Sequence, residues 1–118
     1  MEFDNKSINY IEFSAVDLSK TKSFFSDVFA WTFEDYGDDY TAFVANGLMG
    51  GFFRADATST QQTGGALLVF YSDDLAAIEQ EIIQAGGTVT REIFEFPGGR
   101  RFHFTEPSGN EMAVWSEK

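Results

Sequence analysis

The sequence predicts an α+β domain made of two βαβββ modules in tandem that form a cleft. Three observations carry this expectation. Hydrophobic spacing changes from period two to helical spacing and back, and it does so twice along the chain. The order strand, helix, three strands recurs at a period of about 56 residues. A stretch without large apolar residues, 55–64, separates the two runs. With 118 residues the chain has the size of one small domain, module 1 running over about 7–54 and module 2 over about 65–117.

Each element has its own signal. In INYIEFSAV, residues 8–16, Ile11, Phe13 and Ala15 alternate with Tyr10, Glu12 and Ser14, the mark of a half-buried strand. Asp17 offers an N-cap to a helix over 18–29, whose apolar residues at 18, 21, 24, 25, 28 and 29 share one face. Strand-like runs follow at 31–36 and 40–45, and then Asn46-Gly47, a hairpin dipeptide whose two residues are expected at positive φ. Leu48 to Arg54 is the returning strand. In the second run Ala66 to Ser72 reads as a strand, and Asp73 or Asp74 caps a helix carrying Leu75, Ile78, Ile82 and Ile83. Ala85-Gly86-Gly87 ends that helix. Thr88 to Phe96 is a strand, Pro97-Gly98-Gly99 a turn, Arg100 to Thr105 a strand, and Pro107-Ser108-Gly109-Asn110 turns into Glu111 to Ser116. Asp17 to Ala30 and Asp73 to Gly86 both span 13 residues, which aligns the two helix ends.

Composition excludes several classes. Apolar residues make up 43%, with 14 Phe, which argues against disorder. Without Cys there is no disulfide framework, thiolate metal site or cysteine nucleophile. Apolar runs such as Ala66 to Tyr71 fall far below the ~20 residues that span a bilayer, and MEFDNKSINY lacks the features of a secretory signal. The expectation is a cytoplasmic protein with no membrane partner. Eight basic against 19 acidic residues give a net charge of −11, which repels phosphate backbones and makes nucleic acid a poor partner. That charge favours cationic ligands, although a solvated acidic surface is its ordinary meaning.

Each helix covers one sheet face and leaves the other open, so the polar side of each strand is expected to line the cleft. That assigns Tyr10, Glu12 and Ser14 from the first strand and Glu111, Ala113 and Trp115 from the last. Arg101, His103 and Thr105 share the open side of their strand, while Phe102 and Phe104 face the core. The run 66–71, which includes Tyr71, is apolar on both sides, and its parity cannot be read.

VDLSKTKSFFSDVFAWTF (16–33), DDLAAIEQEIIQAGGTV (73–89) and EPSGNEMAVWS (106–116) together resemble the vicinal oxygen chelate superfamily of glyoxalase I, bleomycin-resistance proteins and extradiol dioxygenases. The resemblance covers nearly the whole chain. It implies paired βαβββ modules, a homodimer, and a site in the cleft. It is specific to the superfamily and not to one activity.

In metal-dependent members that resemble glyoxalase I, each of four strands gives one His, Gln or Glu ligand. Those positions map here to Tyr10, Gly51 (within Gly50-Gly51), Leu67 and Ala113. Tyr, Gly, Leu and Ala do not make a divalent metal shell. Ser14 also stands where glyoxalase I keeps an Arg for glutathione. The expectation is no metal and no cofactor.

Other residues carry two readings each. His103, the only histidine, can serve as a general base, but a lone His in an aromatic strand is more often structural. Glu12 and Glu111 can bind a cation or exchange a proton, or simply solvate the cleft mouth. Arg100-Arg101 can clamp a ligand carboxylate, or be plain hairpin charge. Tyr10, Trp115 and Tyr71 can stack on a flat or cationic ligand, or pack in the core. The leading expectation is a metal-free protein of bleomycin-resistance type that binds a small organic molecule. The alternatives are an enzyme of the superfamily with a non-standard site, and an interaction module whose cleft is filled by its own aromatics.

Overall fold

The computed structural model describes residues 3–118. The chain forms two four-stranded sheets of the same internal order. The first half runs β1 (Tyr10–Ala15), α1 (Leu18–Phe29), β2 (Thr32–Asp35), β3 (Tyr40–Ala45) and β4 (Leu48–Arg54). The second runs β5 (Leu68–Tyr71), α2 (Leu75–Gln84), β6 (Thr88–Phe96), β7 (Gly99–Thr105) and β8 (Glu111–Ser116). The sheet orders are β1-β4-β3-β2 and β5-β8-β7-β6. In each, the first and last strands of the module lie parallel and the remaining pairs antiparallel. The expected α+β duplication is therefore the architecture.

The helices start and stop alike. Asp17 accepts the Lys20 N–H at 3.0 Å, and Asp74 accepts that of Ala77 at 3.1 Å, so Asp74 rather than Asp73 is the second cap. Both helices run into a left-handed residue, Ala30 (φ 59) and Gly86 (φ 101), at the two positions aligned in the sequence. The hairpin at Asn46-Gly47 has the expected two-residue length, with Ala45 opposite Leu48, but only Gly47 takes positive φ. The 97–99 turn is shorter than expected: Gly99 already pairs with Phe96 as the first residue of β7, and its backbone lies against Ser116, leaving no room for a side chain.

The core sits on the helix-covered faces. Phe13, Phe43, Phe52, Phe102, Phe104, Met112 and Val114 come from the strands, and Phe24, Phe25, Leu75 and Ile82 from the helices, all buried. Rings of α1 join the two halves: Phe29 lies 3.9 Å from Phe70 and Phe24 5.9 Å from Phe104, centroid to centroid. Trp31 continues the stack between Phe25 at 4.4 Å and Phe43 at 4.2 Å. At about 1.5–3 kcal/mol for each large apolar side chain taken from water, this shared aromatic layer is what binds one half to the other. Strand alternation then leaves the opposite face of each sheet free of helices.

Candidate functional site

On the first sheet the open face carries the residues expected there. Ile11, Phe13 and Ala15 point to the core, and Tyr10 and Glu12 are exposed. The Tyr10 and Tyr40 hydroxyls hydrogen-bond each other over Gly51. A side chain at Gly51 would occupy the place where they meet, so the bare glycine is what lets the two phenols close. Burial first, then the hydrogen bond from Tyr10, pushes the Tyr40 phenol far above the usual tyrosine range. Ser14 is turned to structural use, its hydroxyl donating to the Ala57 carbonyl at 2.6 Å.

The second sheet gathers the other candidates. Register places Trp115 opposite both Tyr71 and Arg101, and Ala113 opposite both Val69 and His103, on one face. The parity of β5, which the sequence left open, is thereby settled: Phe70 faces the core rings and Tyr71 the open side. The Tyr71 ring meets Trp115 edge-on at 5.1 Å, and its hydroxyl donates to Glu117 at 3.0 Å.

Arg101, His103 and Glu111 form a chain. Arg101 Nη2 lies 3.1 Å from His103 Nε2, and His103 Nδ1 lies 3.2 Å from Glu111 Oε2. A guanidinium can only donate, so Nε2 accepts, the proton sits on Nδ1, and the imidazole donates it to the carboxylate. The other Glu111 oxygen accepts the Gln61 N–H at 2.8 Å. That backbone donor, followed by His103, holds the Glu111 carboxyl below the usual carboxylate range. His103 is 2% exposed with both ring nitrogens engaged, the arrangement of a residue that orients a neighbour. Glu111 likewise has both oxygens taken, leaving Glu12 as the exposed carboxylate of the pair proposed for a cation.

Beside this chain opens a pocket of about 350 Å³ walled by Val69, Phe96, Gly98, Arg101 and Trp115. Phe94 completes its surroundings: the Arg101 Cζ stands 5.4 Å from the Phe94 ring centroid and 5.8 Å from that of Phe96. Tyr10, Glu12 and Ser14 do not line it, so the candidate residues fall into two groups, one on each sheet.

Val69, Phe94, Phe96 and Gln61 escaped sequence reasoning. Counting alternately from core-facing Val89 does put Phe94 and Phe96 on the open side, since the two register shifts in β6 add up to two residues and so restore the alternation. That signal was present, but phenylalanines read first as core. Gln61 contributes only a backbone N–H, for which no side-chain pattern exists.

The four positions that the resemblance assigns to metal ligands lack donors in the structure as well. Gly51 and Ala113 carry none, and the Tyr10 hydroxyl is spent on Tyr40. Counting from the true cap Asp74 moves the third position from Leu67 to Leu68, another leucine. Among the described residues no group of three or more His, Asp or Glu is placed to hold a metal ion. The residues present do not fit a divalent ion at those positions. No helix among the described residues is long and apolar enough to cross a membrane.

Residues 7–114 match the family model described as the Glyoxalase/Bleomycin resistance protein/Dioxygenase superfamily. Among solved structures, the chain is similar to a glyoxalase-related enzyme from Fulvimarina pelagi (TM-score 0.78, 15% identity, 94% of this chain and 88% of that one). It is similar to a glyoxalase/bleomycin resistance protein/dioxygenase family enzyme from Burkholderia phytofirmans PsJN (TM-score 0.77, 16% identity, 95% and 99%). It is also similar to the lactoylglutathione lyase from Agrobacterium tumefaciens (TM-score 0.69, 19% identity, 94% and 93%). No curated protein matches the chain. At such identities these likenesses speak for the fold alone.

Proposed function

This chain belongs to the glyoxalase/bleomycin resistance protein/dioxygenase superfamily, and we propose that within it the protein binds a small organic molecule without a metal ion. The observation that carries this reading is the pocket on the open face of the second sheet, apolar on most sides and edged by one ordered guanidinium. Its size, about 350 Å³, suits a ring-sized ligand. A flat body laid against Trp115, Phe96 and Val69 gains roughly 25 cal/mol for each Å² of apolar surface covered.

The empty donor positions support metal independence, and the engagement of both His103 nitrogens supports binding over proton transfer. We extend the proposal to a cytoplasmic homodimer. The superfamily likeness supports the pairing, and so do the exposed Tyr10, Val44 and Phe53 on the open face of the first sheet.

The test is a chelator-dialysed, isotope-labelled protein titrated with a set of small aromatic compounds and followed by amide NMR. Shifts clustered on Val69, Phe96 and Trp115, equal with and without chelator and lost in Trp115→Ala, are the expected result. Shifts that need added nickel or manganese, or that avoid this pocket, overturn the reading.

A further inference from the structure

We propose that Arg101 makes the second-sheet pocket selective for a carboxylate carried on a flat apolar body, with His103 and Glu111 as positioning residues. The inference rests on the pocket being the ligand site, and it adds the chemical class of the ligand.

The argument starts from the donors of the guanidinium. Arg101 has five N–H groups and no acceptor. Nη2 is committed to His103, while Nε is buried and has no hydrogen-bond partner among the described residues. A dry, unpaired donor is costly to keep, and structures seldom hold one without a use. Among the described residues no carboxylate comes within ion-pair distance of Arg101, although the chain has a net charge of −11. Lys22 and Arg54, in contrast, have found Asp35 and Asp39.

Local charge points the same way. Arg91 lies over the Phe94 ring at 3.6 Å, so two guanidinium groups approach one aromatic ring in an otherwise acidic molecule. Arg101 therefore stands with a second cation near the apolar walls, and neither has a carboxylate within ion-pair distance among the described residues. Planar donors in a fixed fork fit a carboxylate in two-point fashion.

The rest of the chain of hydrogen bonds makes sense as support. The Gln61 backbone N–H fixes Glu111, Glu111 fixes the imidazole tautomer, and Nε2 then holds one arm of the guanidinium. The order runs from backbone to guanidinium, so Arg101 is held in place before a ligand arrives. A carboxylate is taken side-on by Nε–H together with the second N–H of Nη2, the two donors that lie on one edge of the guanidinium.

The test uses three probes of one shape: phenylacetate, phenylacetamide and phenethylamine, titrated into the full chain with backbone amides and the Arg101 Nε–H followed by NMR. Phenylacetate is expected to bind about ten-fold more tightly than the amide and to move the Arg101 Nε–H signal, and the amine is expected to bind worst. In Arg101→Gln the acid and the amide become equal while the amide is unaffected; Arg101→Lys keeps part of the preference. His103→Leu is expected to lose the acid preference at unchanged amide affinity, and His103→Gln, which can both accept and donate, to restore it. Equal binding of all three probes in the pocket overturns the carboxylate assignment and leaves the metal-free binding reading standing. Binding of none overturns both.

Discussion

Thr21 on α1 donates its hydroxyl to Glu106 at 2.6 Å, although 85 residues separate the two. Glu106 is 2% exposed and accepts three more hydrogen bonds, from the amides of Ser108 and Asn110 and from the Asn110 side chain. Asn110 in turn donates to the Ser14 carbonyl at 2.8 Å and accepts the Ser59 amide at 2.9 Å. The turn between β7 and β8 is thus tied to β1, to α1 and to the connecting segment. It locks the second half onto the first at the end where Glu111 begins.

Removing the carboxylate leaves those donors buried and unpaired. Glu106→Ala is expected to lower the unfolding free energy by about 3 kcal/mol, and Thr21→Val, which removes one partner, by about 1 kcal/mol. Urea unfolding of the three proteins checks this. Equal midpoints would mean that the turn adds nothing to the hold that the aromatic layer gives the two halves.

The ends of the helices give an opposite prediction. Ala30 occupies a left-handed conformation at φ 59, where its counterpart in the second half is Gly86. Ala30→Gly relieves the Cβ clash and is expected to raise stability by about 0.5–1 kcal/mol, whereas Gly86→Ala is expected to lower it by about 1 kcal/mol. Thermal unfolding of both variants reads the signs directly. A loss in Ala30→Gly would show that the freedom glycine adds to the unfolded chain outweighs the relief.

How much of this could be read beforehand follows from where the information lies. Alternation in β1 and β8 assigned Tyr10, Glu12, Glu111 and Trp115 to the open faces because one side of each strand is plainly apolar. The duplication even paired Ala30 with Gly86 before any φ was known. What stayed hidden depends on contacts between distant segments. The Tyr10–Tyr40 pair needs the register of β1 against β3 through β4, and the Gln61 amide at Glu111 needs the path of the connecting segment. Residues 55–64 read as a bare linker by composition, yet Ser59 pairs through both backbone groups with the start of β8. Backbone hydrogen bonds of this kind leave no trace in side-chain type.

At Gly51 the prediction joins packing and titration. Gly51→Ala puts a methyl group where the hydroxyls of Tyr10 and Tyr40 meet, and is expected to cost about 1–3 kcal/mol and to separate the phenols. Because the folded state keeps Tyr40 protonated well above the usual range, its contribution is complete below pH about 10 and declines as pH rises beyond it. Absorbance titration at 295 nm is expected to show one tyrosine ionising only with alkaline unfolding in the native chain. In Gly51→Ala that tyrosine joins the ordinary ones. A native chain in which all tyrosines titrate together below unfolding would rule out the Tyr10–Tyr40 pair.

Glu111 supplies the acid counterpart, and here the groups around it decide the sign. Its oxygens face the Gln61 amide and the His103 ring on β7, behind which stands Arg101. The folded carboxyl titrates below the ordinary value of about 4.3, so the folded state holds fewer protons than the unfolded one across that interval. Its stabilisation is complete above the ordinary value and disappears as pH falls through the lowered one. Glu111→Gln keeps the shape but accepts more weakly, so the native chain is expected to be the more stable at pH 7 and the difference to close below about pH 4. Urea unfolding of both proteins from pH 7 to pH 3 measures that difference. A gap that stays constant over the whole range would mean that Glu111 gains nothing from its charge in the fold, and that Gln61 and His103 position it only as a neutral acceptor.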